Sequence, residues 1–127
     1  MNIFVTGNIG YIGSFLTQYL KNNNKDYNII GFDSGFFKKN LTKNINPEKK
    51  IKKQYFEDIR NINNIHLKDV DTIVHLCGLS NDPIGKKFET VTNDINYKAS
   101  VKLFNNALKN KVRKFIFASS CSSYGFG

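Results

Sequence analysis

Short apolar runs recur along the chain, and each has the length of a buried strand rather than that of a helix. Glycine, asparagine or charged residues punctuate the segments between these runs, as expected where a strand gives way to a turn. The runs cover residues 3–5, 27–32, 53–56, 72–76 and 115–118. The sequence therefore predicts five strands.

Two segments between the runs repeat apolar residues at the period of a helix. The first begins at Ile12 and ends at the asparagine cluster of residues 22–24, and the second covers residues 92–110. Residues 34–50 are polar and basic and are predicted to be mostly loop. The predicted apolar stripes consist of Ile12, Phe15, Leu16, Tyr19 and Leu20 in the first helix, and of Ile95, Ala99, Leu103, Ala107 and Leu108 in the second.

Strands that alternate with helices in this way favour a parallel sheet covered by helices on both faces. We predict an α/β fold, a Rossmann-like doubly wound parallel sheet of strand order 3-2-1-4-5, with a ligand over the carboxyl ends of the strands. A length of 127 residues, 40% of them hydrophobic, suits one domain over residues 1–127. We expect this domain to be incomplete, lacking a sixth strand and a further lobe. The free edge of the fifth strand would then favour self-association, for example as a homodimer.

The net charge of +9 raises the question of a nucleic-acid partner. Only Arg60 and Arg113 among the 19 basic residues are arginine, the side chain best suited to forked contacts with phosphates and bases. We therefore interpret the lysines as solvated surface and expect no nucleic-acid partner. Nonspecific electrostatic binding through the lysines is the weaker alternative.

Localisation and metal binding are constrained by what the sequence lacks. No apolar stretch approaches the roughly 18 residues of a membrane span, and Met1 is not followed by the pattern of a secretory signal. We therefore expect a cytoplasmic protein without a membrane partner. Cys77 and Cys121 form no metal-binding pattern with His66 or His75, so we expect no metal site.

A glycine run lies between the first predicted strand and the first predicted helix. Gly7, Gly10 and Gly13 follow a Gly-x-x-Gly-x-x-Gly spacing. Glycine is required where the chain turns tightly, where the backbone must approach a pyrophosphate, and where a helix packs closely on a strand. The amides that open the helix would face the phosphates. This run predicts a dinucleotide-binding loop, although a glycine-rich turn without a ligand remains an alternative.

A dinucleotide-binding site of this kind has an acidic residue at the end of the second strand, and this chain has one there. Asp33 follows the second strand, 20 residues after Gly13, and a carboxylate there can accept the ribose hydroxyls of an adenosine. The same charge would repel the 2′-phosphate of NADP, so NAD is the predicted cofactor. Lys38 and Lys39 leave room for a 2′-phosphate, and Asp33 could instead be an ordinary turn aspartate.

These features together resemble the extended short-chain dehydrogenases/reductases. The Gly-x-x-Gly-x-x-Gly spacing is the form this family uses, and four later segments agree with its motifs. They are Asp58-Ile59-Arg60, residues 75–79 with cysteine in place of the family's alanine, residues 96–100, and the Ser-Ser-x-x-x-Tyr-Gly segment of residues 119–125. The resemblance implies that the cofactor is contacted by Gly7, Gly10, Tyr11, Ile12, Gly13, Asp33, Asp58, Ile59, Leu76, Cys77, Gly78, Asn96 and Ser119.

The amino-acid sequences of residues 33–37 and 79–83 resemble those of the NAD-dependent epimerase/dehydratase branch, which acts on nucleotide sugars. The resemblance implies hydride transfer at a sugar hydroxyl or keto carbon, with Ser120 as the catalytic hydroxyl that bonds the substrate oxygen. Tyr124 belongs to the Tyr-Gly element and is not the family's catalytic base. That base comes from a Tyr-x-x-x-Lys pair, and no tyrosine in this chain has lysine four positions later. We therefore expect an N-terminal portion that binds NAD and is itself nearly inactive.

Two alternatives bear on these assignments. The chain could instead be a stand-alone dinucleotide-binding or regulatory module without catalysis, although retention of Ser120 argues mildly against this. His75, on a buried strand inside a matched motif, is predicted to be a hydrogen-bonded structural residue rather than a catalytic one. His66 lies in a polar segment and carries no signal of its own.

Overall fold

A computed structural model of the chain describes residues 1–40, 47–49, 51–79, 87–120 and 125. Its centre is a five-stranded sheet of order β3-β2-β1-β4-β5 in which every neighbouring pair is parallel. This confirms the predicted α/β fold and strand order. The strands are β1 (Asn2–Thr6), β2 (Asn28–Phe32), β3 (Lys53–Tyr55), β4 (Thr72–His75) and β5 (Lys114–Phe117).

The parallel register aligns the carboxyl ends of the strands at one edge of the sheet. Thr6, the last residue of β1, pairs with Phe32 of β2 and with His75 of β4. The strand order reverses at β1, because β2 and β4 lie on its two sides. A ligand site is expected beyond this edge at the point of reversal.

The helices differ in detail from the prediction. A π-helical turn, Asp94–Lys98, interrupts the second predicted helix and separates α2 (Glu89–Asn93) from α3 (Ala99–Lys109). The first helix, α1, covers Tyr11–Asn23 as one unbroken element. The connecting segments contain short 3₁₀ turns at Lys38–Asn40, Pro47–Lys49, Ile59–Asn61 and Asn64–Leu67.

Two apolar clusters lie on opposite faces of the sheet, because successive side chains of a strand point to opposite faces. One cluster joins Phe4 and Ile73 of the strands to Leu103 of α3. The other joins Val5 and Val74 to residues of α1. The sheet is therefore covered on both sides, which holds its carboxyl edge in a fixed position.

The apolar stripe predicted for α1 is only partly the buried face. Ile12, Phe15 and Tyr19 are 64%, 53% and 64% exposed, and only the two leucines of the stripe pack on the cluster beneath the helix. The helix instead buries small residues, Gly13, Ser14 and Thr17. These allow its axis to approach the preceding glycine loop closely. Leu108, assigned to the buried stripe of the second helix, is also mostly exposed.

Candidate functional site

The glycine loop connects β1 to α1 at the point of strand reversal. Gly7 has a φ of +71°, and a methyl group there would stand 2.9 Å from the amide nitrogen of Cys77. A methyl group at Gly13 would overlap the carbonyl oxygen of Gly7. The fold itself therefore requires glycine at both of these positions.

Packing places a much weaker constraint on Gly10 than on Gly7 and Gly13. Its φ of −74° and ψ of 177° are extended values that any residue can adopt. A methyl group at this position would meet only the carbonyl oxygen of Gly7, at 3.2 Å. The packing of the chain thus gives a weak reason for glycine here, whereas a ligand that must approach the backbone would give a strong one.

The start of α1 offers free hydrogen-bond donors. Gly10 is the N-cap residue and provides no side-chain cap, and the first turn contains no acidic residue. The first amides of a helix, here those of Tyr11, Ile12 and Gly13, have no acceptor within the helix. Together with the positive end of the helix dipole, they form a place suited to an anion such as a pyrophosphate.

Asp33 lies beside this loop, as the sequence predicted. It follows β2 directly, and its Oδ2 accepts a hydrogen bond of 3.0 Å from the amide of Ile9. Its Oδ1 accepts a second hydrogen bond, of 2.8 Å, from the amide of Gly35 two residues later. The carboxylate is therefore both a turn aspartate and a neighbour of the glycine loop, so the two interpretations coexist.

Asp58 and Ile59 follow β3 at the same edge. The carboxylate of Asp58 accepts hydrogen bonds of 2.9 Å and 2.6 Å from the backbone amide and the Nη2 atom of Arg60. These hydrogen bonds hold the pKa of Asp58 below its usual value. The Ile59 side chain is buried in the core, so this residue can offer a ligand its backbone rather than its side chain.

Cys77 follows β4 and lies close to both Asp33 and Asp58. Burial raises the pKa of its thiol to about 12, and the charges of Asp33 and Asp58 oppose its ionisation further. Residues that follow β2, β3 and β4 are thus near enough to influence one another. The thiol stays protonated at neutral pH and behaves as a small apolar group, comparable to the alanine that the resemblance leads one to expect.

Asn96 holds the chain segment that follows β4. Its Oδ1 accepts a 2.8 Å hydrogen bond from the amide of Leu79, and its Nδ2 donates one of 2.8 Å to the carbonyl of Leu79. A methyl group at Gly78 would stand 3.3 Å from the same Oδ1. Asn96 therefore fixes the backbone beside Leu76, Cys77 and Gly78, and its predicted direct contact with the cofactor stays a prediction.

Ser119 and Ser120 come directly after β5. The amide of Ala118 donates a 3.1 Å hydrogen bond to the carbonyl of His75, so the chain leaves β5 next to the end of β4. Both serines are exposed at this carboxyl edge. Tyr124 and Cys121 lie outside the described residues.

Both histidines are buried, and only one was anticipated as a structural residue. His75 lies within hydrogen-bonding distance of Thr6 and Ser100, and burial lowers its pKa to about 4. His66, assigned no role from the sequence, caps a 3₁₀ turn: its Nδ1 accepts a 3.2 Å hydrogen bond from the amide of Asn63. The Asn-x-x-His spacing resembles a capping box and was the available signal.

A second feature missed from the sequence ties the glycine loop to β3. Asn8 is buried, and its Nδ2 donates a 2.7 Å hydrogen bond to Oε1 of Gln54. The pair crosses β2 at Gly31, where an added methyl group would overlap Gln54 and stand 2.5 Å from Asn8. A glycine inside a strand often marks such a close approach, so Gly31 was the sequence signal.

Among the residues that the structure describes, no group of three or more histidine, cysteine, aspartate or glutamate side chains could hold a metal ion. No helix in the same part of the chain has the length and hydropathy needed to cross a membrane.

Nearly the whole chain is similar to known proteins. A model of the NAD dependent epimerase/dehydratase family matches residues 3–127. An uncharacterized UDP-glucose epimerase of Bacillus subtilis is 33% identical, over 98% of this chain and 42% of its own length. A trifunctional UDP-glucose 4,6-dehydratase/UDP-4-keto-6-deoxy-D-glucose 3,5-epimerase/UDP-4-keto-L-rhamnose-reductase of Arabidopsis thaliana is 30% identical, over 98% of this chain and 20% of its own length.

Solved structures agree with these sequence matches. The UDP-glucuronic acid 4-epimerase of Bacillus cereus, solved in complex with NAD, superposes with a TM-score of 0.83 at 30% identity. The alignment covers 100% of this chain and 42% of that protein. The chain thus spans less than half the length of each of these proteins.

Proposed function

The chain belongs to the NAD dependent epimerase/dehydratase family, and on that premise we propose that it is the NAD-binding portion of an oxidoreductase or isomerase acting on a nucleotide sugar. The observation that carries the proposal is the glycine loop. Two of its glycines are required by internal packing, and the third, Gly10, leaves an open approach to the uncapped start of α1. This is the arrangement that a pyrophosphate needs.

Each part of a bound NAD has a matching group on this chain. The amides of Tyr11, Ile12 and Gly13 would donate hydrogen bonds to the pyrophosphate oxygens. The Asp33 carboxylate would accept hydrogen bonds from the ribose hydroxyls of the adenosine half. Each of its oxygens already accepts one amide hydrogen bond, and each retains a further lone pair for a hydroxyl.

The remaining contacts would come from the ends of β3, β4 and β5. The backbone of Asp58 and Ile59 would meet the adenine edge, and residues 76–78 would line the groove along the cofactor. Ser119 would face the cofactor, while the Ser120 hydroxyl would bond the reacting oxygen of the sugar and align it for reaction. Bound NAD supplies a carbon that accepts and returns a hydride.

The chain's own residues provide binding and orientation rather than proton transfer. No tyrosine in the sequence has a lysine four positions later, so the pair on which the family relies for its general base is not formed by these residues. We expect this polypeptide alone to bind NAD without turning over a nucleotide sugar. Addition of UDP-glucose to the NAD complex should therefore produce no NADH signal.

The second candidate function is a dinucleotide-binding module without catalysis. The two candidates share NAD binding and differ in the sugar. A portion of a nucleotide-sugar enzyme that retains Ser120 should let UDP-glucose perturb the NMR signals of Ser119 and Ser120 once NAD is bound. A regulatory module should give no such response.

The proposal can be tested by mapping the amide NMR signals of the chain during titration with NAD. Signals of Tyr11, Ile12 and Gly78 should shift in a saturable manner, because these residues line the proposed groove. The amide of Asn110, which caps the far end of α3, serves as an internal control and should not move. Shifts confined to the lysine-rich surface would contradict the proposal.

A further inference from the structure

A partly buried series of hydrogen bonds runs from the end of β1 through β4 to the π-helical turn and α3. The amide of Cys77 donates to Oγ1 of Thr6 at 3.4 Å, and Thr6 Oγ1 lies 2.5 Å from Nδ1 of His75. His75 Nε2 lies 2.7 Å from Oγ of Ser100. The Ser100 hydroxyl in turn donates to the carbonyl of Asn96 at 2.8 Å.

The proton positions in this series of hydrogen bonds can be assigned by starting from the Ser100 hydroxyl. The single hydroxyl proton of Ser100 is used on the carbonyl of Asn96, so Ser100 Oγ must accept the proton of His75 Nε2. His75 Nδ1 then carries no proton and accepts from Thr6 Oγ1. A neutral imidazole with its proton on Nε2 therefore gives every group in this series a hydrogen-bond partner, consistent with the lowered pKa of His75.

Residues 76–78 are flanked by two contacts with the π-helical turn and α3. Before them, His75 Nε2 lies within hydrogen-bonding distance of Ser100, and after them, Leu79 forms two hydrogen bonds with Asn96. Asn96 lies in the π-helical turn, and Ser100 lies in the first turn of α3. Such π turns often occur at functional sites, because they change the direction of side chains within a helix. Residues 76–78 are held between the two contacts.

We propose that His75 and Ser100 are positioning residues of the dinucleotide groove, setting the distance between residues 76–78 and the glycine loop. The inference rests on the proposed NAD binding and adds residues that contact no cofactor themselves. Gly7 approaches Cys77 so closely that even a methyl group would not fit between them. The segment that these hydrogen bonds hold is thus the one that packs against the glycine loop.

The test compares Ser100→Ala, which removes the hydroxyl, with Ser100→Thr, which retains it. NAD affinity is measured by calorimetry at a temperature where circular dichroism shows each variant to be folded. We expect Ser100→Ala to weaken NAD binding by about 10-fold, as for loss of one buried hydrogen bond, and Ser100→Thr to restore most of it. Asn110→Ala, a change at the far end of α3, should bind NAD as the wild type does.

The outcomes separate this inference from the proposed function. Failure of the wild type to bind NAD would reject the proposed function itself. If the wild type binds and Ser100→Ala binds equally well, only the positioning role is rejected. Should Ser100→Ala fail to fold, ¹⁵N NMR of the wild-type imidazoles decides the matter: the Nε2–H form of His75, with a ring signal that shifts on NAD addition, supports the role. An Nδ1–H or protonated ring at neutral pH, or a ring signal unmoved by bound NAD, overturns it.

Discussion

Acidification should destabilise the fold through one buried imidazole. His75 is 1% exposed, and burial lowers its pKa from 6.5 to about 4. In the unfolded chain the imidazole regains its ordinary pKa, so between these pH values the unfolded state binds more protons than the folded state. Stability is therefore lost as the pH falls through this window, and it is fully present above pH 6.5. The difference corresponds to about 3 kcal/mol below pH 4 and about 2 kcal/mol at pH 5.

The assay is urea unfolding of the wild type and of His75→Gln at pH 7, 6 and 5. The free energy of unfolding of the wild type should fall by about 2 kcal/mol across this range, whereas that of His75→Gln should fall much less. Asp58, whose carboxyl has a lowered pKa, loses its contribution only near and below its ordinary value of 3.8. An equal loss in wild type and His75→Gln, or a His75 ring that titrates near 6.5, would refute the reasoning.

Three further predictions concern the loop, its link to β3 and the sheet edge. Gly10→Ala should cost less than about 1 kcal/mol of stability but abolish measurable NAD binding, whereas Gly13→Ala should cost about 3 kcal/mol or more; urea unfolding and calorimetry would check both. Asn8→Ala and Gln54→Ala should couple by about 1 kcal/mol in a double-mutant cycle, and additivity would contradict the paired geometry. Ile116→Lys, at a β5 position that is 53% exposed, should reduce self-association in light scattering, unless the wild type is already monomeric.

The parts of the fold that depend on local pattern could be predicted from the sequence. Runs of apolar residues fixed the strands, and the glycine spacing with Asp33 indicated which strand ends would meet. The orientation of α1 could not be predicted, because counting apolar positions does not show that Gly13 must lie against Gly7. Its buried face follows from that close approach, which leaves Ile12 and Tyr19 exposed.

The contacts that the sequence did not reveal join residues far apart in the chain. Asn8 and Gln54 are 46 positions apart, and Thr6 and His75 are 69 apart. No spacing rule links such pairs, so the sequence does not show which partner each of these residues has. The π turn around Asn96 is similarly invisible in a helical pattern, because the apolar period continues through it.

The central claim is that the amides opening α1 and the carboxylate of Asp33 together bind NAD. Calorimetric titration of the chain with NAD and with NADP, repeated on Asp33→Asn, measures this most directly. Asparagine removes the charge and keeps one oxygen, so it can accept from the amide of Ile9 or from that of Gly35 but not from both. The account predicts one-to-one binding of NAD, weaker binding of NADP, and loss of that preference in Asp33→Asn. No binding of NAD, or an equal affinity of the wild type for both dinucleotides, would contradict it.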